Sequence, residues 1–352
     1  MNKKSNLTPP EVSVLALKND HTIYETLRDA VAEIELDVNI IGLDDPTDGM
    51  HIKWYHDRSL YDTKPFFFYI EEYDTFKGRH NSHHWQFDDP HDNNFTNPRN
   101  EFLSPPILNH PNFKGFISHI QDTCNRLYDE FKTPVYHLPL CSSNILSDSF
   151  NRVKDHIESL DDRPVHLIAW SSWNDIHDNN FINRGGDVVD RLVCDLFDLG
   201  CDIRFSMRTL RNMQCKMGFD ERVDIYHDYL TEEEKDALFS EGDIFLLPSD
   251  QVHSASITYA MSFGMPCVVS DGWGISEFCN SLNSIPLSDL MERYRGNAFV
   301  KANLNDAVVN ICNDKELLKL KRRNTLSHYM ANHSRSSYIH SIGKILHTGT
   351  SW

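Results

Sequence analysis

The sequence predicts an α/β protein built from two Rossmann-like domains. Its 352 residues are enough for two domains of about 100–200 residues each, and each half is long enough to bury its own core. In the C-terminal half, short apolar strands alternate with amphipathic helices, which is typical of right-handed βαβ units and a parallel sheet. Those strands are apolar almost throughout, as expected where helices cover both faces of a sheet.

We expect the domain boundary near residue 145. Residues 1–145 would form the first domain, residues 146–335 the second, and residues 336–352 a C-terminal helix that could pack back on the first domain. The candidate linker is CSSNILSDSF, and the spacing of apolar residues in SRSSYIHSIGKIL indicates the last helix.

The elements of the C-terminal half follow one another regularly. The predicted strands are RPVHLIAW, CDIRFSM, RVDIY, DIFLLP and PCVVSD. The predicted helices are GGDVVDRLVCDLFDLG, LTEEEKDALFSEG and HSASITYAMSFG. The first of these helices has an apolar stripe of Val188, Leu192, Leu196 and Leu199. The second opens with a capping box formed by Thr231 and Glu234.

The N-terminal half is less regular. The predicted strands are EVSVLAL, DVNIIGL, KPFFFYI, FKGFISHI and VYHLPL. The predicted helices are QDTCNRLYDEF and TIYETLRDAVAEI, the latter with a capping box of Thr22 and Glu25. The apolar face of that latter helix is formed by Ile23, Leu27, Ala30, Val31 and Ile34. After the first strand the sequence continues as LALKNDHT, without the glycine-rich loop of nucleotide-binding Rossmann folds.

The composition argues against several classes of function. The net charge is −18, from 34 basic and 52 acidic residues, whereas proteins that bind nucleic-acid phosphates normally carry a basic face. The eight cysteines are scattered without a C-x-x-C pair, which predicts reduced, buried thiols rather than disulfides or a zinc ribbon. No apolar run approaches the ~20 residues of a transmembrane segment and no secretion signal is recognised, so we expect a cytoplasmic protein.

The segment from Phe245 to Phe278 carries the main functional signal. A buried strand ends at Pro248, a polar turn follows, and a helix with small side chains in its first turn begins near Ser254. In an open α/β sheet, ligands bind beyond the carboxyl ends of the strands. A helix N-terminus there offers unpaired N–H groups and a positive dipole end to an anion such as a diphosphate. The same spacing also fits an ordinary strand, turn and helix in any α/β protein.

This segment resembles the donor-site signature of glycosyltransferase family 4. The matching residues are Pro248, Ser249, Ser254, Ala260, Met261, Gly264, Pro266, Val268, Val269, Gly274 and Glu277. The resemblance is strongest from Pro164 to Glu277, and it is closest to a branch with the pattern V-H-S-x-S, A-M-S-x-G and S-D-G-W-G-x-x-E. It implies the GT-B fold, in which two Rossmann-like domains face a cleft, and a retaining reaction that needs no divalent metal.

The resemblance also implies two arginines for the donor diphosphate. WSSWNDIHDNNFINRGG is similar to a loop in which a basic residue beside a glycine meets the diphosphate, and the matching residue is Arg184. The strand RFSMRTLR places Arg208 near the same phosphates. Guanidinium groups suit a diphosphate because each can bind two oxygens. For each arginine, the alternative is an ordinary solvated or ion-paired residue.

Further donor residues are implied by the same match. Ser254 and Ala255 would offer backbone N–H groups to the diphosphate, Gln251 and His253 would line the sugar, and Tyr259 would lie near the ribose. The complete predicted donor set is Ser172, Arg184, Arg208, Gln251, His253, Ser254, Ala255, Tyr259 and Glu277. The predicted catalytic residues are Arg184, Arg208 and His253.

Two positions depart from the family. It usually carries two glutamates eight residues apart, one facing the sugar hydroxyls and the other the ribose hydroxyls, whereas Gln251 and Tyr259 stand at these positions. Gln251 can still hydrogen-bond a sugar hydroxyl, but Tyr259 cannot grip a ribose diol as a carboxylate does. The two substitutions are consistent with an unusual donor or with a loss of activity.

The N-terminal domain usually supplies the acceptor site in this fold. The turn after KPFFFYI contains Glu71, Glu72 and Asp74, and it loosely resembles a turn in bacterial polysaccharide glycosyltransferases. Carboxylates accept hydrogen bonds from hydroxyls and an aromatic face stacks on a sugar, so we predict these residues and Trp85 as acceptor contacts. The alternative is a solvated acidic loop.

The nearby histidines match no closed metal site, and no metal is predicted. These histidines are His80, His83, His84 and His91.

We therefore expect transfer of a hexosyl or pentosyl unit from a nucleotide diphosphate sugar to a glycan, polysaccharide or other hydroxyl acceptor. The nucleotide sugar is a co-substrate, and no other cofactor is expected. One alternative is a glycosyltransferase for modified DNA bases, against which the net charge argues. Another is an inactive GT-B-like binding or scaffold subunit, which Gln251 and Tyr259 would explain. A dehydrogenase is disfavoured because neither G-x-G-x-x-G nor a P-loop occurs.

Overall fold

The computed structural model places the chain in two compact units. The residues that it describes are 12–15, 26–27, 29–30, 33, 38–41, 50–54, 66–70, 108–142, 147–170, 181, 184–249, 253–270, 274–287 and 300–350. The first unit contains the described residues up to Cys141 together with those from Ser334 onward, and the second runs from Ser142 to His333.

Each unit is an α/β structure built on a parallel sheet. The strands of the first unit are β1 (Val12–Leu15), β2 (Val38–Ile41), β3 (Met50–Trp54), β4 (Phe66–Tyr69), β5 (Phe113–Ser118) and β6 (Val135–His137). Those of the second are β7 (Val165–Ala169), β8 (Ile203–Arg208), β9 (Val223–Tyr226), β10 (Ile244–Leu247), β11 (Cys267–Ser270) and β12 (Ser284–Leu287). The α-helices are α1 (Gln121–Phe131), α2 (Ser147–Glu158), α3 (Gly186–Asp198), α4 (Gln214–Gly218), α5 (Glu232–Ser240), α6 (Ser254–Ser262), α7 (Val300–Asn313), α8 (Lys315–Asn332) and α9 (Arg335–Thr350). The predicted α/β fold class is confirmed.

The sheet of the first unit has the strand order β2-β1-β3-β4-β5-β6, and all its described pairings are parallel. β4 is buried along its whole length, and its Phe67 ring meets the edge of Tyr136 at a centroid distance of 5.6 Å. β3 was not predicted, because His51 and Lys53 interrupt the continuous apolar run that marks the other strands.

The last helix, α9, belongs to the core of the first unit. Its Tyr338, Ile342 and Leu346 side chains are buried, as the amphipathic spacing predicts. At its start, Arg335 donates a hydrogen bond through Nε to a carboxylate oxygen of Glu33 at 2.8 Å. Glu33 lies in the predicted first helix, of which Leu27 and Ala30 are buried and Ile23, Val31 and Ile34 lie outside the described residues.

The sheet of the second unit has the order β12-β11-β10-β7-β8-β9. The chain moves outward from β7 through β8 to β9, returns to β10 on the other side of β7, and continues outward to β12. The strand order therefore reverses between β7 and β10, and α/β proteins bind ligands at the carboxyl end of such a switch point. The predicted strands and helices from Val165 to Ser270 are all present, and the capping box of Thr231 and Glu234 forms as expected.

Several features of the second unit differ from the sequence-based expectations. The predicted linker CSSNILSDSF is helical from Ser147 onward, because α2 begins there. Leu199 was predicted on the buried stripe of α3 but is 60% exposed, since it follows the last helical turn and no longer faces the sheet. The helices α4, α7 and α8 and the strand β12 were not predicted.

Asp243 connects three parts of the second unit just before β10. Its carboxylate accepts hydrogen bonds from Arg163 at 2.5 and 2.8 Å and from Arg322 of α8, and it also accepts the backbone N–H of His166 at 2.9 Å. Burial alone would raise the pKa of Asp243, but the hydrogen bond from Arg163 and the charge of Arg322 outweigh it and keep the carboxyl ionised. This cluster anchors α8 to the sheet.

Candidate functional site

The candidate site lies at the carboxyl edge of the second sheet. β7 pairs in parallel with both β8 and β10, with Ala169 opposite Met207 and Ile168 opposite Phe245. The residues that follow these three strands therefore lie side by side around the switch point. They include the predicted Arg208 at the end of β8 and the predicted Pro248–Ser249 turn after β10.

The two predicted donor motifs that flank the switch point touch each other through Gly185. This residue has φ +75°, and a Cβ added to it would lie 2.9 Å from the carbonyl carbon of Pro248 and closer still to its oxygen. Gly185 also accepts a hydrogen bond from the Val189 N–H at 2.9 Å, which fixes the start of α3. Only glycine fits such a contact at a left-handed backbone position. The half-buried Arg184 is therefore held next to the turn that follows β10.

Arg208 is held by aromatic rings at the end of β8. The residue is only 4% exposed, and its guanidinium carbon lies 3.2 Å from the centroid of the Tyr229 ring and 5.9 Å from that of Trp170. Tyr229 follows β9 and is 74% exposed. Contacts of this kind orient a guanidinium without neutralising its charge. Tyr229 was not predicted as a site residue, although a tyrosine just after a strand at the predicted ligand edge could have indicated it.

The helix α6 begins at Ser254, as predicted for the diphosphate contact. His253 occupies the N-cap position, but its side chain makes no capping hydrogen bond. Ser254 is buried and Ala255 is half-buried, while the Thr258 hydroxyl donates to the Ser254 carbonyl at 2.8 Å. The backbone N–H groups of the first turn and the positive dipole end are therefore directed at the ligand edge.

The side chain of Tyr259, a residue of α6, packs against α5. Its ring contacts Phe239 at 4.7 Å and Phe263 at 5.3 Å between centroids, and the Lys235 ammonium lies 4.7 Å from its centroid. The Tyr259 hydroxyl donates a hydrogen bond to the carboxylate of Asp236 on α5. Burial and this carboxylate raise the pKa of Tyr259 well above its ordinary value, so the hydroxyl remains a donor. Asp236 was not predicted as a site residue from the sequence.

Glu277 lies in a 3₁₀ turn, Ile275–Glu277, that follows Gly274. Gly274 has φ +79°, and the next residue, Phe278, is buried and stacks on His333 with 5.3 Å between ring centroids. The half-buried Glu277 is thus carried on an anchored turn that follows β11 at the same edge of the sheet. Residues 271–273, which contain the rest of the predicted turn, lie outside the described residues.

The first unit has a buried polar pair at the carboxyl edge of its own sheet. The Tyr69 hydroxyl at the end of β4 and His119 Nδ1 just after β5 are 2.8 Å apart, and both residues are almost fully buried. The neighbouring Ile70 continues the pairing by donating its N–H to the Ile117 carbonyl at 2.8 Å. His119 was not predicted as a site residue, although a histidine near the carboxyl end of the predicted strand FKGFISHI could have indicated it.

Several predicted site residues lie outside the described residues. They are Ser172 and Gln251 of the donor set and all four acceptor residues, Glu71, Glu72, Asp74 and Trp85. The histidine-rich segment that contains His83 lies there as well. Within the described ranges, no group of three or more His, Cys, Asp or Glu side chains could hold a metal ion.

All eight cysteines fall in the described ranges, where each is a thiol and all but the partly exposed Cys194 are buried. Among the described helices, none is both long and apolar enough to cross a membrane.

Known proteins resemble this chain in structure rather than in sequence. No protein-family model and no curated protein matches the sequence. A glycosyltransferase from Rickettsia africae ESF-5 matches with a TM-score of 0.62 and 11% identity, over 97% of this chain and 99% of that protein. The Anabaena protein HepE, crystallised with UDP and glucose, matches with a TM-score of 0.57 and 10% identity, over 96% of this chain and 100% of HepE.

A third structure, that of the longer protein TarM, matches this chain over only part of the TarM length. Its TM-score is 0.51 at 11% identity, over 84% of this chain and 54% of TarM, so the match spans about half of the TarM chain. A mutant of S. aureus TarM was crystallised with fondaparinux, α-GlcNAc-glycerol and UDP. At these identities the likeness is one of fold. The chain therefore has the α/β fold with parallel sheets that is found in GT-B glycosyltransferases.

Proposed function

We propose that this chain is a glycosyltransferase that moves a sugar from a nucleotide diphosphate sugar to a hydroxyl acceptor. The supporting observation is the carboxyl edge of the second sheet, where the Arg184–Gly185 turn packs against Pro248 beside the N-terminus of α6. This edge belongs to a fold that matches a glycosyltransferase over nearly the whole of both chains. In this proposal residues 146–335 bind the donor, residues 1–145 bind the acceptor, and residues 336–352 complete the first domain.

Positive groups at this edge suit a departing diphosphate. Arg184 and Arg208 can each offer several N–H donors, and the first turn of α6 adds backbone N–H groups of Ser254 and Ala255. Such preorganised donors stabilise negative charge that develops on a leaving group. We therefore propose that the reaction needs no divalent metal and no cofactor besides the nucleotide sugar.

The proposed reaction exchanges one bond to the anomeric carbon for another. The bond between this carbon and the diphosphate oxygen breaks, a bond to the acceptor oxygen forms on the same face, and the acceptor proton passes to the leaving phosphate. Retention in this manner needs no separate protein base. Gln251 and His253 would line the sugar, Glu277 would order the neighbouring turn or meet the donor, and Ser172 would complete the site.

The ligands of the structural relatives suggest where to begin. HepE was crystallised with UDP and glucose, and the TarM mutant with UDP and α-GlcNAc-glycerol. We therefore propose a UDP-sugar as the first donor to test and a cytoplasmic glycan or polysaccharide as the acceptor class. Glu71, Glu72, Asp74 and Trp85 are the proposed acceptor residues.

The test is thermal unfolding of the full chain with UDP, GDP, ADP and dTDP and with their sugar conjugates. A nucleotide at about 100 times its dissociation constant should stabilise the wild type by about 2.7 kcal/mol. Arg184→Ala should abolish the shift, whereas Arg191→Ala should keep it, because Arg191 is an exposed residue on the following helix. If no nucleotide stabilises the wild type, donor binding is absent and the chain is better described as an inactive scaffold.

A further inference from the structure

Asp236 and Tyr259 form a polar pair between the two helices, α5 and α6, that begin at the ligand edge of the second sheet. α5 follows β9 and α6 follows β10, so both helices begin at the carboxyl edge of the same parallel sheet. The Tyr259 hydroxyl donates to Asp236 Oδ1, and the rings of Tyr259 and Phe239 hold the two helices together. A carboxylate of α5 is thereby fixed on the surface of α6.

The distance from the proposed diphosphate site suits a nucleoside. Tyr259 is five positions after Ser254 in α6, which corresponds to about 7.5 Å along the helix axis. A ribose is joined directly to the diphosphate, so its hydroxyls can reach this far when the phosphates sit at the helix N-terminus. Carboxylates hydrogen-bond ribose hydroxyls in other nucleotide-binding α/β folds as well.

The Asp236 carboxylate has capacity for such a ligand. A carboxylate offers about four acceptor positions, and Tyr259 uses one of them. Asp236 is exposed, and within the described part of the chain its second oxygen, Oδ2, accepts no hydrogen bond. The neighbouring Lys235 is paired with Glu232 at 2.6 and 2.7 Å, so it does not compete for Asp236.

We propose that Asp236, positioned by Tyr259, binds the ribose hydroxyls of the donor nucleotide. This inference rests on the proposed glycosyltransferase function and adds a residue to its nucleotide site. The carboxylate that the sequence lacks at position 259 is supplied from the adjacent helix. Because Tyr259 remains a donor, it orients the carboxylate and leaves acceptor positions directed at the ligand.

The test compares three ligands by calorimetry on the full chain. They are the nucleoside diphosphate that best stabilises the wild type, beginning with UDP, its 2′,3′-dideoxy analogue, and inorganic pyrophosphate. Hydrogen bonds from a diol to a charged group predict a preference of about tenfold or more for the ribonucleotide. Asp236→Ala should reduce this preference to within about twofold and leave pyrophosphate affinity unchanged. Glu233→Ala, which removes another exposed carboxylate of α5, should retain the preference.

The outcomes separate this inference from the proposed function. If Asp236→Ala keeps the wild-type preference, or if the wild type binds both nucleotides equally, Asp236 is not a ribose ligand although donor binding stands. If the wild type binds no nucleoside diphosphate at all, the proposed function fails and this inference fails with it. Tyr259→Phe should lower the preference partly, because the carboxylate remains but loses its hydrogen-bond donor; an unchanged preference would remove the positioning role of Tyr259.

Discussion

The contact between Gly185 and Pro248 gives a prediction that separates backbone strain from packing at the site. Two glycines of the second unit have almost the same conformation, with φ +75° at Gly185 and φ +76° at Gly200. A Cβ at Gly185 would overlap the Pro248 carbonyl, whereas a Cβ at Gly200 would meet no atom of the described structure within 4 Å. Alanine at either position carries the same backbone penalty, but only alanine at Gly185 must also move the turn after β10.

The backbone penalty for a non-glycine residue in this region is about 1–2 kcal/mol. Gly200→Ala should therefore lower the free energy of unfolding by about that amount, or the Tm by roughly 2–8 °C for a domain of this size. Gly185→Ala carries the same backbone cost and also overlaps Pro248. Because overpacking commonly costs about 1 kcal/mol or more, Gly185→Ala should lower the free energy of unfolding by at least about 1 kcal/mol more than Gly200→Ala does. Urea unfolding of both variants measures the difference.

Ligand binding adds a second measurement to the same pair of variants. Displacing Pro248 from Gly185 also separates Arg184 from the start of α6, so Gly185→Ala should lose the nucleotide-induced rise in Tm while Gly200→Ala keeps it. Equal stability and equal binding in the two variants would refute the assignment of this contact to the donor site.

Other buried or stacked charges lead to three further predictions. Tyr229→Ala should weaken nucleotide diphosphate binding about fivefold in calorimetry, and Tyr229→Phe should not, because a ring over Arg208 is worth about 1 kcal/mol. Asp243→Asn leaves Arg163 and Arg322 without their buried counter-charge and should destabilise the chain by about 3–5 kcal/mol in urea unfolding; a loss below 1 kcal/mol would contradict this. Burial, with a smaller contribution from Arg204, lowers the pKa of His166 to about 4. Between pH 6.5 and 4 the unfolded chain therefore binds more protons at this histidine than the folded chain does. The free energy of unfolding should fall by roughly 3 kcal/mol as the pH drops through this range, and His166→Gln should remove that part of the pH dependence in urea unfolding.

The local elements of the second unit were predictable because their signals are local. The capping box of Thr231 and Glu234 involves residues three positions apart, and the fully apolar strand β10 reads directly from its side chains. Leu199 was misassigned for a related reason, since helical periodicity does not reveal where the last turn ends. In β3 the polar residues His51 and Lys53 interrupt the apolar run, and the buried side of α8 includes the polar residues Lys319, Arg322 and Thr325, so neither segment has a comparable apolar run in the sequence.

The site itself was predictable only where a motif carries it. Arg208 came from the resemblance to a known family and the start of α6 from the residue pattern, but the contacts around them join distant parts of the chain. Tyr229 reaches Arg208 across two neighbouring strands, and Asp236 reaches Tyr259 across two helices. Pairings of this kind depend on how elements pack, which no spacing within one segment records.

Tyr259 stands where the resemblance implies a glutamate, and it shows how such packing changes a functional inference. From the sequence, Tyr259 weakens the case for nucleotide binding, because a phenol cannot hold a diol as a carboxylate does. A ligand, however, binds the groups that surround it in the folded protein, whichever residue of the chain supplies them. α5 and α6 begin at the same edge of the sheet, so either helix can bring a carboxylate to that place. In the proposed site, Asp236 supplies the carboxylate and Tyr259 orients it. The double variant Tyr259→Glu and Asp236→Ala moves the carboxylate to position 259, and it should therefore preserve the preference for the ribonucleotide that Asp236→Ala alone removes.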